Sequence, residues 1–214
     1  MKTTIKTHLF LSAALALGLA ASAAAQDAMS APSTALSPTS NYGLLGTTYA
    51  GAEFGYTHRV EAGPSVLHRY GFIYNAPLPE GVDFNFNYDY LSGRSAGVSA
   101  HQQGLGLGFT GYRPQSWGKP FLQANAGWIF RRSAGEASDS FAYTLKTGVE
   151  FQLLPALVVT PYVSYSGARH FSSYEWNYGA KGTYRFTKQW SGAVGVQIDE
   201  RHNLEFTLGV NFHY

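Results

Sequence analysis

The chain is predicted to be all-β: a single up-and-down antiparallel meander of about ten strands closed into a barrel, with eight to twelve compatible with the spacing. Three observations carry this reading. Apolar and polar side chains alternate with period two from about Gly46 onward, broken by short Gly, Pro, Ser and Asn clusters, and no helical period intervenes. Charged residues make up 13% of the 214, against about 25% in ordinary globular domains. Aromatic residues reach 15%, and there are 24 glycines.

The chain opens differently. Lys2 and Lys6 precede an apolar run from Leu9 to Ala21, and Ala23, Ala24 and Ala25 place small residues before Gln26. This is the layout of a secretory signal peptide, expected over residues 1–25. Residues 26–45 are rich in Ser, Ala, Pro and Thr without a period, and are expected to form a flexible lead-in. That stretch is too short for a wall-binding domain, so residues 46–214 are expected to form the only folded domain.

Strands are expected at about 46–59, 66–75, 82–92, 102–113, 120–131, 140–152, 157–167, 176–187, 190–199 and 203–214. The clearest is the third, where Val82, Phe84, Phe86, Tyr88 and Tyr90 alternate with Asp83, Asn85, Asn87 and Asp89. One face is therefore oily and the other hydrophilic. The sixth repeats this with Phe141, Tyr143 and Leu145 against Thr144, Lys146 and Glu150. In the eighth, Trp176, Tyr178 and Tyr184 alternate with Asn177, Lys181 and Arg185. The last sets Leu204, Phe206, Leu208, Val210, Phe212 and Tyr214 against Glu205, Thr207, Gly209, Asn211 and His213. In the fourth, Gly104, Gly106 and Gly108 fall on the polar face, where they are expected to make room for Tyr or Arg side chains from across the interior. Their spacing lacks the following helix of a nucleotide-binding loop.

Which face points inward follows from the polar one. A barrel in water would expose Lys and Glu there, but here it carries mainly Gly, Ser, Thr, Asn and Gln. That suits an enclosed lumen, with the oily face turned to lipid; a strand needs only about 9 to 11 residues to cross a bilayer. The inward charges are expected to be Arg59, Arg69, Lys146, Lys181 and Arg185 against Glu53, Asp83, Asp89, Glu150 and Glu205, a balanced set that must pair to be tolerated. Tyr56, Trp128, Phe130 and Trp176 at one end, with Trp190, Phe212 and Tyr214 at the other, would form two interfacial aromatic girdles.

The final residues carry a resemblance. Thr207, Gly209, Phe212 and Tyr214 form a pattern that resembles the carboxy-terminal signal of bacterial outer-membrane β-barrel proteins, a group that includes the small OmpA-like and opacity-type barrels and the porins. The resemblance implies residence in the outer membrane of a Gram-negative-type bacterium, contact with its lipid, and recognition by the barrel-assembly machinery. An even strand number would place both termini in the periplasm. A monomer is expected.

About ten strands lies near the size at which side chains fill the interior. A structural barrel or a narrow path for ions or small solutes is therefore expected, with no chemistry, cofactor or metal. Two alternatives are an enzyme acting on outer-membrane lipid at the rim, of lipid A acylhydrolase type, and a surface-recognition barrel. Rim residues with catalytic side chains are His58, His68, His101, His170, Ser172, Asp139, Asp199 and His202, but no catalytic spacing links them. The connections near 60–65, 93–101, 132–139, 168–175 and 200–202 are short for binding loops. The absence of cysteine excludes thiol chemistry and disulfides, and a net charge of +2 gives no footprint for nucleic acid.

Overall fold

The computed structural model describes residues 43–59, 66–79, 81–95, 98–133, 136–170 and 173–214. The expected signal peptide and most of the lead-in lie outside these residues. Ten strands follow one another: β1 (Tyr49–His58), β2 (Val66–Leu78), β3 (Val82–Ser95), β4 (Val98–Tyr112), β5 (Lys119–Ser133), β6 (Glu136–Leu154), β7 (Leu157–Ala168), β8 (Ser173–Arg185), β9 (Trp190–Asp199) and β10 (Leu204–His213). Each pairs antiparallel with its neighbours in sequence, and β10 closes the ring onto β1 through ten register pairs from Tyr49–His213 to His58–Leu204. Closure removes the two free edges that an open sheet of these strands would have. The end that carries Gly43 and Tyr214 is termed the terminal end, and the opposite one the distal end.

Alternation decides which way the sheet faces. Among the described residues, 27 large hydrophobic or aromatic side chains are exposed, including Phe72, Leu105, Leu107, Leu145, Val194 and Leu208. Buried polar or charged residues outnumber buried hydrophobic ones by 15 to five. This is a water-soluble barrel turned inside out, with a polar interior and an apolar belt of side chains around the wall.

Most strand boundaries match the period-two reading within a few residues. The chief difference lies in two hairpins. The stretches 93–101 and 132–139, expected as connections, are largely strand: β3 and β4 pair out to Ser95–Val98, and β5 and β6 to Ser133–Glu136. Their Gly, Ser and Ala content resembles turn chemistry, but alternation is not needed to keep a ladder hydrogen-bonded once both faces meet water. The inward glycines also act differently from the expectation. A Cβ on Gly106 would meet Asn87 Oδ1 at 2.7 Å, and one on Gly108 would collide with Asn125. Gly106 and Gly108 make room for asparagines of the adjoining strands, not for Tyr or Arg from the far wall, and a Cβ on Gly104 would meet only Ile129 Cγ1 at 4.0 Å.

Candidate functional site: a layered polar lumen

Most inward charges group at two levels along the barrel axis, a central one and a terminal one. At the central level, Arg69 on β2 pairs with Glu53 on β1, and its Nε lies 3.3 Å from Glu205 on β10 and 3.7 Å from Asp89 on β3. Lys181 Nζ donates to the second Glu53 oxygen at 2.7 Å. β8 and β1 are three strands apart around the ring, so this bond spans the bore instead of running along the wall. Lys146 from β6 stands 4.1 Å over the Tyr162 ring, whose hydroxyl donates to Gln197 Oε1 at 2.9 Å. Three cations (Arg69, Lys146, Lys181) therefore face three carboxylates (Glu53, Asp89, Glu205). A neutral cluster of this kind is tolerable where isolated charges are not.

The terminal level is built differently. Its carboxylates, Asp83 and Glu150, are 0% and 3% exposed and are bound by backbone. Leu44 N–H donates to Glu150 Oε1 at 3.0 Å, Leu45 N–H reaches the same carboxylate at 3.4 Å, and Gly46 N–H donates to Asp83 Oδ2 at 2.9 Å. Lys119 Nζ donates to the Leu45 carbonyl at 3.2 Å, and Asn75 Nδ2 to the Thr47 carbonyl at 2.8 Å. Thr47 folds the segment by donating from N–H and hydroxyl to the Leu44 carbonyl. Gly46 adopts φ +80°, and a Cβ there would lie 2.6 Å from the Tyr112 hydroxyl. Both the backbone and the space thus require glycine.

β1 and β6 are five strands apart in either direction around a ten-membered ring. A segment that enters β1 while hydrogen-bonded to Glu150 on β6 must therefore cross the mouth. Gly43–Thr48 is a strap over the terminal end, and Gly43–Leu45 are the last residues of the stretch expected to be a flexible lead-in. Beneath it an amide ladder braces the wall: Asn75 to Asp83 at 3.1 Å, Asn85 to Asn75 at 2.9 Å, and Gln123 to Asn85 at 2.6 Å.

The expected charge set is thus divided between levels. Glu53, Arg69, Asp89, Lys181 and Glu205 come together in one network, with Lys146 beside it. Asp83 and Glu150 belong to the strap. Arg185 donates to His213 Nδ1 at 3.0 Å near the terminal end, and Arg59 lies beyond β1 at the distal end, apart from the central network. Lys119, Asn75, Gln123 and Tyr162 also line the site without having been singled out from sequence, and Asn85, read only as part of the hydrophilic face of the third strand, joins them. Lys119 sits just before Pro120 and reads as a turn residue, whereas neutral amides give no signal beyond their parity.

His213 Nε2 lies 2.9 Å from Ser191 Oγ, a spacing seen between nucleophile and base. Arginine can only donate, so Arg185 makes Nδ1 the acceptor and puts the proton of a neutral ring on Nε2. That proton points at Ser191 Oγ, so the ring cannot take one from it; the pair is structural. The rim residues are separately engaged. Asp139 accepts from Trp128 Nε1 at 2.7 Å, His101 Nδ1 lies 2.8 Å from the Tyr90 hydroxyl, and His170 N–H donates to Ser140 Oγ at 2.9 Å. Asp199 folds its own turn by accepting from Arg201 and Asn203, with His202 at φ 64° inside it. His58 ends β1, His68 packs between Phe54 and Tyr56, and Ser172 lies outside the described residues. No group of three His, Asp or Glu side chains converges to hold a metal among the described residues.

On the outer wall, Tyr56, Trp128, Phe130, Trp176 and Trp190 are all exposed, at 39% to 52%. Phe212 and Tyr214 also point outward and pack edge to face, and Trp190 joins them with its ring 4.9 Å from that of Phe212. Thr207 and Gly209 face inward on β10, opposite Gly55 and Glu53 of β1.

No protein-family model matches the chain, and no curated protein is similar to it in sequence. Solved structures are similar in fold. An outer-membrane channel from Pseudomonas putida F1 matches with a TM-score of 0.50 at 8% identity, covering 84% of this chain and 100% of the other. The fold is that of an outer-membrane β-barrel. The KdgM porin (TM-score 0.44, 12% identity, 78% of this chain and 99% of the other) and Neisserial surface protein A (TM-score 0.43, 11% identity, 78% and 96%) also match.

Proposed function

We propose that this chain is an integral outer-membrane barrel offering at most a narrow path to ions or small solutes, held shut at its terminal end, and otherwise acting as a structural element of the membrane. The observation that carries this reading is the double crossing of the bore, by the Lys181–Glu53 bond at the centre and by Gly43–Thr48 at the mouth. Balanced charge at the central level supports weak ion selectivity, because neither sign of ion meets an uncompensated field. The terminal end faces the periplasm in this reading, and the Thr207, Gly209, Phe212 and Tyr214 pattern engages the assembly machinery before β10 closes on β1. Planar-bilayer recording of the refolded full chain tests the pore. Low, intermittent conductance is expected, and a large, steady conductance of diffusion-limited size would overturn the closed reading.

A further inference from the structure

The outward wall near the distal end departs from the apolar belt. One register row runs Tyr56, His68, Ser92, His101, Arg132 across β1 to β5, all with side chains on the lipid face. His68, Ser92 and His101 line a shallow, largely open pocket of about 340 Å³ together with Val66, Gly93 and Ser99. His68 Nδ1 is shielded from solvent and has no hydrogen-bond partner, although its ring is held by Phe54 and Tyr56 at 6.0 and 5.9 Å. His101 spends Nδ1 on Tyr90, which leaves Nε2 as its second polar atom.

Neighbouring strands lie about 4.8 Å apart, so His68 and His101 flank Ser92 at roughly 10 Å from each other. A tetrahedral oxyanion over Ser92 would receive imidazole N–H groups from both sides and a hydroxyl from below, with Arg132 next along the row. An imidazole offers a donor when neutral and two when charged. No Asp or Glu projects outward from the described positions of β1 to β5. The nearest outward acid, Asp139 on β6, is engaged by Trp128. Tyr70 and Tyr90, one step toward the belt, set this row at the level where headgroups begin.

We propose that this pocket holds the phosphate of a membrane-lipid headgroup, with His68, Ser92 and His101 as its donors and Arg132 as a supporting charge. The proposal rests on the barrel lying in lipid and not on whether its bore conducts. A ligand bound only to the folded state raises the unfolding temperature. The test follows unfolding of the full chain in neutral detergent micelles by its heat-dependent gel mobility, with phosphatidic acid, diacylglycerol or inorganic phosphate added. Folding in the micelle is checked first, which separates failure of the membrane reading from failure of this one. Phosphatidic acid is expected to raise the wild-type transition by about 5 °C, and the other two additives to leave it in place. The shift should vanish in H68F/H101F, which keeps both rings and removes their donors. Should that variant not fold, S92D places an acid at the centre of the row without removing a ring and should abolish the shift alone. An equal response to diacylglycerol, an equal response to inorganic phosphate, or a shift that survives S92D would each overturn the assignment.

Discussion

The central and terminal levels of the lumen both bury carboxylates, yet they satisfy them by different means. At the centre, Glu53 is held by side chains of Arg69 and Lys181 that are themselves 25% and 23% exposed. At the mouth, Glu150 and Asp83 are held chiefly by backbone N–H groups of a segment that is not part of any strand. The first arrangement ties wall to wall and can be undone only by disrupting the barrel. The second ties wall to strap, and undoing it requires only that six residues swing into water. Charge at the centre therefore ties the wall together, and charge at the mouth fastens the strap.

The largest effect should come from cutting the centre. Glu53→Ala removes the shared acceptor of two cations and leaves them facing each other in a confined interior. Breaking one side of a buried pair costs about 3 to 5 kcal/mol, and the partial exposure of Arg69 and Lys181 argues for the lower end. At about 2 to 4 °C per kcal/mol for a chain of this length, the unfolding temperature should fall by roughly 6 to 12 °C. Wild-type stability in this variant would show that Arg69 is satisfied by Glu205 and Asp89 alone.

The next effect separates the two levels. Glu150→Ala deprives Leu44 and Leu45 of their acceptor, but water at the mouth can replace it, so stability should drop by only about 1 kcal/mol. Conductance should change more: bilayer recordings are expected to show longer and more frequent openings than wild type. Gly46→Val should reproduce those openings without altering any charge, because the positive φ and the Tyr112 hydroxyl both exclude its side chain. If both variants remain as closed as wild type, the strap does not gate the bore and the obstruction lies at Lys181–Glu53.

The same division explains what could be read from sequence. Glu53, Arg69, Asp89, Lys181 and Glu205 sit at fixed parity within alternating strands, and parity alone puts them inside together. Which carboxylate meets which cation depends on strand stagger, which alternation does not encode, so Asp83 and Glu150 read as members of the same network. The strap was illegible for another reason. Gly43–Thr48 has no period, and its order comes from Glu150, Asp83 and Lys119, which lie between 37 and 106 residues away for the bonds that hold it. The outward-facing histidines show a third limit: His68 and His101 look like rim residues in sequence, and only the register row through Ser92 brings them together.

A smaller effect should distinguish balance from bonding at the centre. Lys146 contributes charge to the central level, and its Nζ rests on the Tyr162 ring. Lys146→Met keeps most of the side-chain volume and forfeits a contact worth about 0.5 to 2 kcal/mol, so the barrel should remain folded. The central level then carries two cations against three carboxylates. Reversal potentials under a salt gradient should shift toward cation preference relative to wild type. An unchanged potential would mean that permeating ions do not pass the central level.

The smallest effect belongs to the outer wall. Asp139→Asn removes a charge at an exposed position and retains an oxygen that can accept from Trp128 Nε1. Exposed substitutions of this kind usually change stability by no more than about 0.5 kcal/mol, and neither conductance nor ion preference should move. The variant matters because Asp139 lies on the far side of the sheet from Ser140, which is fully buried, so adjacent residues sample the two faces. A loss of stability comparable to that of Glu53→Ala would mean that polar groups on the outer face support the barrel as much as those in the lumen. The division of labour between interior levels would then have to be redrawn around the wall.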